Sequence, residues 1–291
     1  MLNERQHGRV PVTIATSLED ACCALASHPD ALVLAGGTDL MVAVNRGDLP
    51  VHHVVAIGRV TELRGWRREG DHVRLGAALT YTDLLQPDLA VLQPALAQAA
   101  RSVGSPQIRN TGTLGGNVAT GSPAGDTIPV LAALDAVLEL RSASGTREMR
   151  LDEFVTGVKR TALEGGELIE AIRVPVLDGP QEFCKVGTRN AMVISVVSLA
   201  LVVDRSGRTV RVGLGSVAAS PLRATEAEAY IGGHLDWDGG RPPSAEVVDR
   251  FTELVVGATS PIDDHRGSAR YRRHAVGVLA GRALARAVGA A

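Results

Sequence analysis

The sequence predicts an α+β fold of two consecutive domains, and three observations carry that reading. Up to about Val174, short apolar runs of strand length alternate with helical patterns. Val176–Gln181, VLDGPQ, then interrupts the pattern with the breaker pair Gly179-Pro180 and is the best linker candidate. Beyond it the chain reads as a few strands followed by helices. The 291 residues are enough for two domains, and 45% hydrophobic residues can build a sizeable core.

The elements follow in order. Val12–Ile14 reads as a short strand. Ser17 is placed to cap a helix through about Ser27, with Leu18, Ala21, Cys22 and Leu25 at helical spacing. That spacing makes Cys22 and Cys23 small core residues, not redox groups. Pro29-Asp30 turns the chain into Ala31–Leu34, a buried strand that ends at Gly36-Gly37. Thr38 or Asp39 can cap a helix from Met41 to about Val44. Val54–Ile57 and Val73–Ala77 are further strands, the second after a polar hairpin region at Arg64–Asp71. Thr80 can cap a short helix to Leu85, which Pro87 ends. Pro94 opens a helix over Ala95–Val103, and Gly104 stops it.

After a glycine-rich stretch, Ile128–Leu134 reads as a helix. Ala136–Leu140 and Arg147–Leu151 are strands about a hairpin turn at Ser142–Thr146, and Leu168–Val174 is a strand closed by Pro175. Past the linker, Phe183–Val186, Val193–Val203 and Val210–Val217 are strands, with a hairpin turn at Asp204–Gly207. Thr225–Ile231 is helical up to Gly232-Gly233. Ser244 caps a helix with Val247, Val248, Phe251, Leu254 and Val255 on one face. Ala269–Val288 is the last helix, and the Arg266–Arg273 charge run reads as its solvated or partner-facing start.

Composition excludes several functions. A formal net charge of −2 offers no nucleic-acid or membrane surface, and 3% aromatic residues argue against base stacking. Cys22, Cys23 and Cys184 match no zinc or iron–sulfur spacing and read as thiols of a reducing cytoplasm. The segment MLNERQHGRV has no apolar core of a signal peptide, and no apolar run reaches membrane-spanning length. His52 and His53 are adjacent, poor geometry for one metal, and the other histidines lack carboxylate or Cys partners at ligand spacing. Ser122 and Ser216 lack a nucleophile elbow.

The informative stretch is Arg109–Leu134, RNTGTLGGNVATGSPAGDTIPVLAAL. Gly112, Gly115 and Gly116 let the backbone turn and expose N–H groups, while Thr111, Thr113, Asn117 and Thr120 place side-chain donors beside them. A second such turn, Leu34-Ala35-Gly36-Gly37-Thr38-Asp39-Leu40, follows the Ala31–Leu34 strand and opens a helix, a geometry suited to phosphate. Taken alone, that turn is equally a plain strand–turn–helix corner. It contains neither a Walker lysine nor G-x-G-x-x-G. Asp126 either caps the helix beginning at Thr127 or contacts a ligand. Lys185 sits in a strand pattern, where an outward solvated lysine is the default.

AGGTDL at 35–40, TGTLGGN at 111–117 and SPAGD at 122–126 together resemble the FAD-binding medium subunit of molybdenum hydroxylases. That family includes the flavin subunits of xanthine, carbon monoxide and nicotine dehydrogenases. Gly166-Glu167-Leu168-Ile169, Arg173-Val174-Pro175, Lys185 with Arg189, and Ser268–Arg272 extend the resemblance over nearly the whole chain.

The resemblance implies a PCMH-type FAD-binding domain of two α/β subdomains at residues 1–176. A smaller α+β C-terminal domain, an antiparallel sheet plus helices, would occupy 181–290. It implies that the FAD diphosphate lies between Val33, Leu34, Ala35, Gly36, Gly37, Thr38, Asp39 and Leu40 on one side and Thr111, Thr113, Leu114, Gly115, Gly116 and Asn117 on the other. It places Asp126 further along the cofactor, and Val103, Ile169 and Lys185 around the flavin ring. Glycine at 36, 37, 115 and 116 would keep a Cβ from holding the diphosphate off the backbone. Molybdopterin and a 2Fe–2S cluster would sit on a large and a small partner subunit, in a dimer of heterotrimers. A self-sufficient FAD-dependent alcohol oxidase or dehydrogenase, and a non-catalytic assembly or binding protein, are the alternatives.

Overall fold

A computed structural model describes residues 10–289. The reading of the N-terminal segment as no signal peptide falls on residues 1–9, outside the described residues. β1 (Val12–Ile14), α1 (Leu18–Ser27), β2 (Leu32–Leu34), α2 (Leu40–Arg46) and β3 (Val54–Ala56) form a first unit. Its strands are parallel in the order β1-β3-β2, so each helix carries the chain across the sheet. Ser17 caps α1 as expected, accepting the Asp20 N–H at 3.0 Å. Cys22 packs inside, but Cys23 on the same helix is exposed. β2 is only half-buried, because it forms an edge of its sheet.

A second unit follows: β4 (Trp66–Glu69), β5 (His72–Gly76), α3 (Pro87–Leu92), α4 (Pro94–Ser102), α5 (Pro106–Arg109), α6 (Leu114–Thr120) and α7 (Ile128–Ala133). Then come β6 (Val137–Ser142), β7 (Gly145–Arg150), α8 (Leu151–Phe154), the ribbon β8 (Val155–Gly157) and β9 (Arg160–Thr161), and β10 (Leu168–Pro175). Its main sheet is antiparallel, ordered β4-β5-β10-β6-β7. Two expectations change here. Thr80 does bond the Asp83 N–H, but the turn it caps is a single 3-10 turn, Asp83–Leu85. Pro87 does not end a helix; it opens α3, since a first-turn position needs no N–H.

The third unit is β11 (Gln181–Val186), β12 (Val197–Asp204), β13 (Thr209–Gly215), β14 (Leu222–Arg223), α9 (Thr225–Gly232), α10 (Ala245–Gly257) and α11 (Ala269–Gly289). The antiparallel sheet runs β11-β12-β13-β14. β12 is apolar from Leu199 to Val203 because both of its faces are covered. Leu199, Leu201 and Val203 join the core beneath α10 and α11, while Ala200 and Val202 join the core of the second unit. Residues 193–196, expected in this strand, lie outside it.

The boundary between second and third units is therefore a packed interface. The segment read as a linker is pinned: the Val176 N–H donates to the Asp71 carbonyl at 2.7 Å, and the Pro180 carbonyl accepts the Val203 N–H at 2.9 Å. Gly213 of β13 lies against the backbone of α7, where an added Cβ would fall on the Pro129 carbonyl. Asp135, at the end of α7, pairs with Arg211 at 3.1 Å and Arg223 at 2.5 Å.

The Arg266–Arg273 run is not uniformly solvated. Arg272 is 2% exposed and donates to the carbonyls of Val196 at 2.6 Å and Ser216 at 2.9 Å, and to Asp264 at 2.7 Å. A charge this deep persists because it is paired and hydrogen-bonded. Burial pushes the Asp264 carboxyl up, but the Arg266 N–H and the Arg272 guanidinium outweigh it and hold it below the usual carboxylate range.

Two outcomes follow for stability. Gly213→Ala is expected to cost about 3 kcal/mol or more through the collision with Pro129, whereas Gly281→Ala, on α11 with only ordinary contacts to Val248 and Thr252 of α10, gains up to about 1 kcal/mol; thermal melts compare them. Asp264 has a depressed folded pKa, so its contribution is present above the unfolded carboxylate value and is lost as pH falls through the folded one. Asp264→Asn should thus destabilise by about 2 kcal/mol at neutral pH and lose less additional stability on acidification than the parent, read from urea unfolding across that pH range.

Candidate functional site

The two glycine-rich turns touch. A Cβ on Gly36 would fall on the Thr111 carbonyl oxygen, 2.6 Å from its carbon and 3.1 Å from the Gly112 Cα. Backbone packs on backbone there, which only glycine permits. Gly37 has φ +72°, and this left-handed step turns the end of β2 into α2. Along the turn, the N–H groups from Ala35 to Leu40 have no acceptor among the described residues, and Met41 is the first to donate, to Gly37 at 3.0 Å. Asp39 precedes α2 without folding its carboxylate back as a cap, contrary to expectation for Thr38 or Asp39. The result is a run of unspent backbone donors on a tight turn, an anion-binding geometry.

The second turn behaves differently. Thr113–Asn117, expected as a loop, is the start of α6, with Thr113 as its N-cap. Its N–H groups are mostly engaged inside the protein. Gly112 donates to Ile108 at 2.7 Å, Leu114 to Leu79 at 2.8 Å, Gly115 to Ala77 at 2.8 Å and Asn117 to Thr113 at 3.0 Å. Gly116 donates to the Thr113 hydroxyl at 3.1 Å. Thr111 directs its hydroxyl to the Gln107 carbonyl at 3.1 Å. What stays open among the described residues is the Thr113 N–H and hydroxyl proton and the Asn117 amide nitrogen, whose oxygen partner accepts from Thr127 at 2.6 Å.

The role expected for the glycines changes accordingly. A Cβ at Gly115 would lie 2.6 Å from the Ala77 Cβ, and one at Gly116 lies 2.8 Å from the Thr113 hydroxyl. These glycines let protein approach protein before any ligand is involved. Leu114 is fully buried in the core.

Asp126 is not a helix cap. Thr127 holds that place, without a side-chain bond. The Asp126 carboxylate reaches across the unit boundary instead, accepting from Lys185 at 2.5 Å, Ser195 at 2.8 Å and Ser102 at 3.3 Å. Lys185 also donates to the Ser102 carbonyl at 3.2 Å, and its side chain is only 9% exposed, so it is not an outward solvated lysine. Burial pushes the Asp126 carboxyl up; the Lys185 charge and the two serine hydroxyls oppose this only in part. Val103 follows Ser102 at the end of α4, and Arg109 ties down the carbonyls of Val103 and Gly104 at 2.9 and 3.0 Å. Val103, Asp126 and Lys185 are thereby brought together. Ile169 lies on β10, 5% exposed in the main core, at the point where its register with β6 shifts.

Sequence reasoning missed Tyr81, Ser102 and Ser195. Tyr81 is 4% exposed, and its N–H donates to the Gly112 carbonyl at 3.1 Å. A Cβ on Gly112 would lie 2.8 Å from the Tyr81 ring and 3.2 Å from the Thr38 hydroxyl. Burial, then the charges of Asp39 and Asp126, push the Tyr81 phenol above its ordinary value. Its signal was local and readable: an aromatic residue inside the turn that Thr80 caps. Ser102 and Ser195 had no such signal, because Asp126 gathers them from 24 and 69 residues away.

Recesses also lie around Asp135, one of about 560 Å³ lined in part by Arg208, Arg211, Arg223 and Glu228. Each of those guanidinium groups is already paired with a carboxylate. The open donors therefore single out the cleft at the two turns. Lys185→Met should leave Asp126 buried without its counter-charge and cost about 3 kcal/mol. The double variant Asp126→Asn/Lys185→Met should cost less than the sum of the singles, read from denaturant unfolding as a double-mutant cycle.

Two family models match consecutive parts of the chain. Residues 6–177 match the FAD binding domain in molybdopterin dehydrogenase, and residues 182–287 match the CO dehydrogenase flavoprotein C-terminal domain. The glyceraldehyde dehydrogenase medium chain of Sulfolobus acidocaldarius is 33% identical over 91% of this chain and 93% of its own length. The nicotinate dehydrogenase FAD-subunit of Eubacterium barkeri is 35% identical over 89% of this chain and 90% of its own. In a solved carbon monoxide dehydrogenase from Hydrogenophaga pseudoflava, a chain 32% identical superposes with a TM-score of 0.87, covering 97% of this chain and 98% of that one. The chain belongs to the family of FAD-binding flavoprotein subunits of molybdenum-containing dehydrogenases, an oxidoreductase family.

Proposed function

We propose that this chain holds FAD with its diphosphate on the Ala35–Leu40 turn and serves as the electron-transfer subunit of a molybdenum hydroxylase. One observation carries the reading: the run of unspent N–H groups on that turn, without an acceptor of its own. A diphosphate is an acceptor-only dianion, so open donors fit it. Neither turn carries Lys or Arg within Val33–Leu40 or Thr111–Asn117. Neutral donors must therefore hold the charge.

In this reading Val33, Leu34, Ala35, Gly36, Gly37, Thr38, Asp39 and Leu40 form the wall that donates. Thr113 and Asn117 add the donors left open on the opposite wall, where Thr111, Leu114, Gly115 and Gly116 shape the surface. Val103, Ile169, Asp126 and Lys185 lie toward the flavin end, where the Lys185 ammonium supplies positive charge held in place by Asp126. Bound FAD supplies the capacity to accept electrons and release them to a different carrier. The chain's own task is to fix the cofactor, exclude water from it and set the field around it.

The medium-chain and FAD-subunit names of the relatives support separate partners. These are a molybdenum-binding large subunit that oxidises the substrate and a 2Fe–2S small subunit that delivers the electrons. We place this assembly in the cytoplasm as a dimer of heterotrimers. Among the described residues no helix is long and apolar enough to cross a membrane. Residues 1–176 form the FAD-binding domain and 181–290 the C-terminal domain in this scheme.

Gly116→Leu tests the reading, because its Cβ would already lie 2.8 Å from the Thr113 hydroxyl and so displaces one of the open groups of that wall. The variant is expected to retain its circular dichroism spectrum and lose FAD, measured as flavin absorbance per chain after gel filtration. Stoichiometric FAD in a folded Gly116→Leu protein would overturn the placement of the cofactor.

A further inference from the structure

We propose that Tyr81 is a further cofactor-binding residue, its hydroxyl donating a hydrogen bond to the diphosphate that the Ala35–Leu40 turn holds. The proposal deepens the FAD reading and rests on it. The Tyr81 ring lies beneath Gly112, the residue at which the two turns meet. One added methyl at Gly112 would approach the Tyr81 ring to 2.8 Å and the Thr38 hydroxyl to 3.2 Å, and one at Gly36 would approach the Gly112 Cα to 3.1 Å. The ring is thus within a residue's width of the open donors of the first turn.

The hydroxyl has no hydrogen-bond partner among the described residues, although Tyr81 is 4% exposed. Buried tyrosine hydroxyls ordinarily find one. Among the described residues, the side-chain polar atoms that are both sealed and unpaired belong to Gln93, Gln181, Ser198 and Arg272. The Tyr81 hydroxyl is unpaired but not sealed, and in the proposal it opens to the cleft beside Gly112 and Thr38. Two carboxylates, Asp39 and Asp126, bear on it. They make an anionic phenolate unfavourable and keep the group a neutral donor. A neutral donor is what a dianion in a cleft without Lys or Arg on its two turns requires. The 3.1 Å bond from the Tyr81 N–H to the Gly112 carbonyl fixes the backbone that carries the ring, and burial of the side chain limits its motion before the ligand arrives.

The test uses the full chain, stripped of flavin, and titrates FAD by fluorescence quenching for the parent and for Tyr81→Phe. Phenylalanine keeps the ring beneath Gly112, and equal melting temperatures of the two stripped proteins verify that the fold is intact. Tyr81→Phe is expected to bind FAD at least about tenfold more weakly, the effect of losing one hydrogen bond to a charged acceptor. The phosphorus-31 resonances of bound FAD should shift between the two proteins, while the visible flavin spectrum stays the same. Unchanged affinity with unmoved phosphorus resonances overturns the proposal. So does a change confined to the visible spectrum, which would put the hydroxyl on the flavin ring. Parent protein that takes up no FAD overturns the functional reading, and the Tyr81 proposal with it.

Discussion

The site depends on one close approach, the backbone of Gly36 lying on the backbone of Thr111 and Gly112. It joins two units with different sheets. The first is a small parallel sheet whose β2 delivers the open turn; the second is an antiparallel sheet whose helices carry the closed one. Neither turn makes a cleft alone. The Gly112 carbonyl extends the chain of contacts to Tyr81, and the Leu79 and Ala77 carbonyls anchor the start of α6 behind it. Donors engaged by their own protein cannot reorganise. The second turn is therefore a rigid wall, against which the first keeps its N–H groups free.

That division also explains where the positive charge comes from. The turns contain none, and the lysine paired with Asp126 arrives from β11, in the third unit. Lys185 reaches Asp126 only because β12 packs its second face into the core of the second unit and Gly213 lets β13 close on α7. A lysine buried this far needs a counter-ion, and an aspartate buried this far needs a cation and hydrogen bonds. Each makes the other tolerable, and the serines satisfy what remains of the carboxylate. The third unit thus does more than cover the second; in the proposed site it would supply the positive charge to a cleft whose backbone it does not build.

Much of this was legible in the sequence. Ser17, Ser244 and Pro94 mark helix starts by local chemistry, and each stands where its side chain or ring dictates. Strand identity was readable where apolar runs are bounded by turns, as at β10 and β12. The resemblance carried by AGGTDL, TGTLGGN and SPAGD led to the family. What escaped was long-range. A glycine pattern does not say whether its N–H groups are open, and only the acceptors at Ile108, Leu79 and Ala77 make α6 a closed turn. The Arg266–Arg273 run looked like surface because its pairing with Asp264 and two distant carbonyls is tertiary. VLDGPQ does join the second and third units, as its breaker pair indicates, but the backbone bonds of Val176 and Pro180 that pin it are tertiary.

The contrast between the two turns gives a physical reason for their shared composition. Glycine is needed at 36 because protein backbone lies against it, at 37 because the backbone is left-handed, and at 115 because Ala77 is too near for a side chain. Those are three different constraints, and only the left-handed step at Gly37 acts directly on the donors. A glycine-rich signature in such a site therefore records close assembly at least as much as ligand contact. The ligand's share is better read from what the folded chain leaves unspent. By that measure the proposed contacts reduce to the N–H groups of Ala35–Leu40, the open groups of Thr113 and Asn117, and one buried phenol.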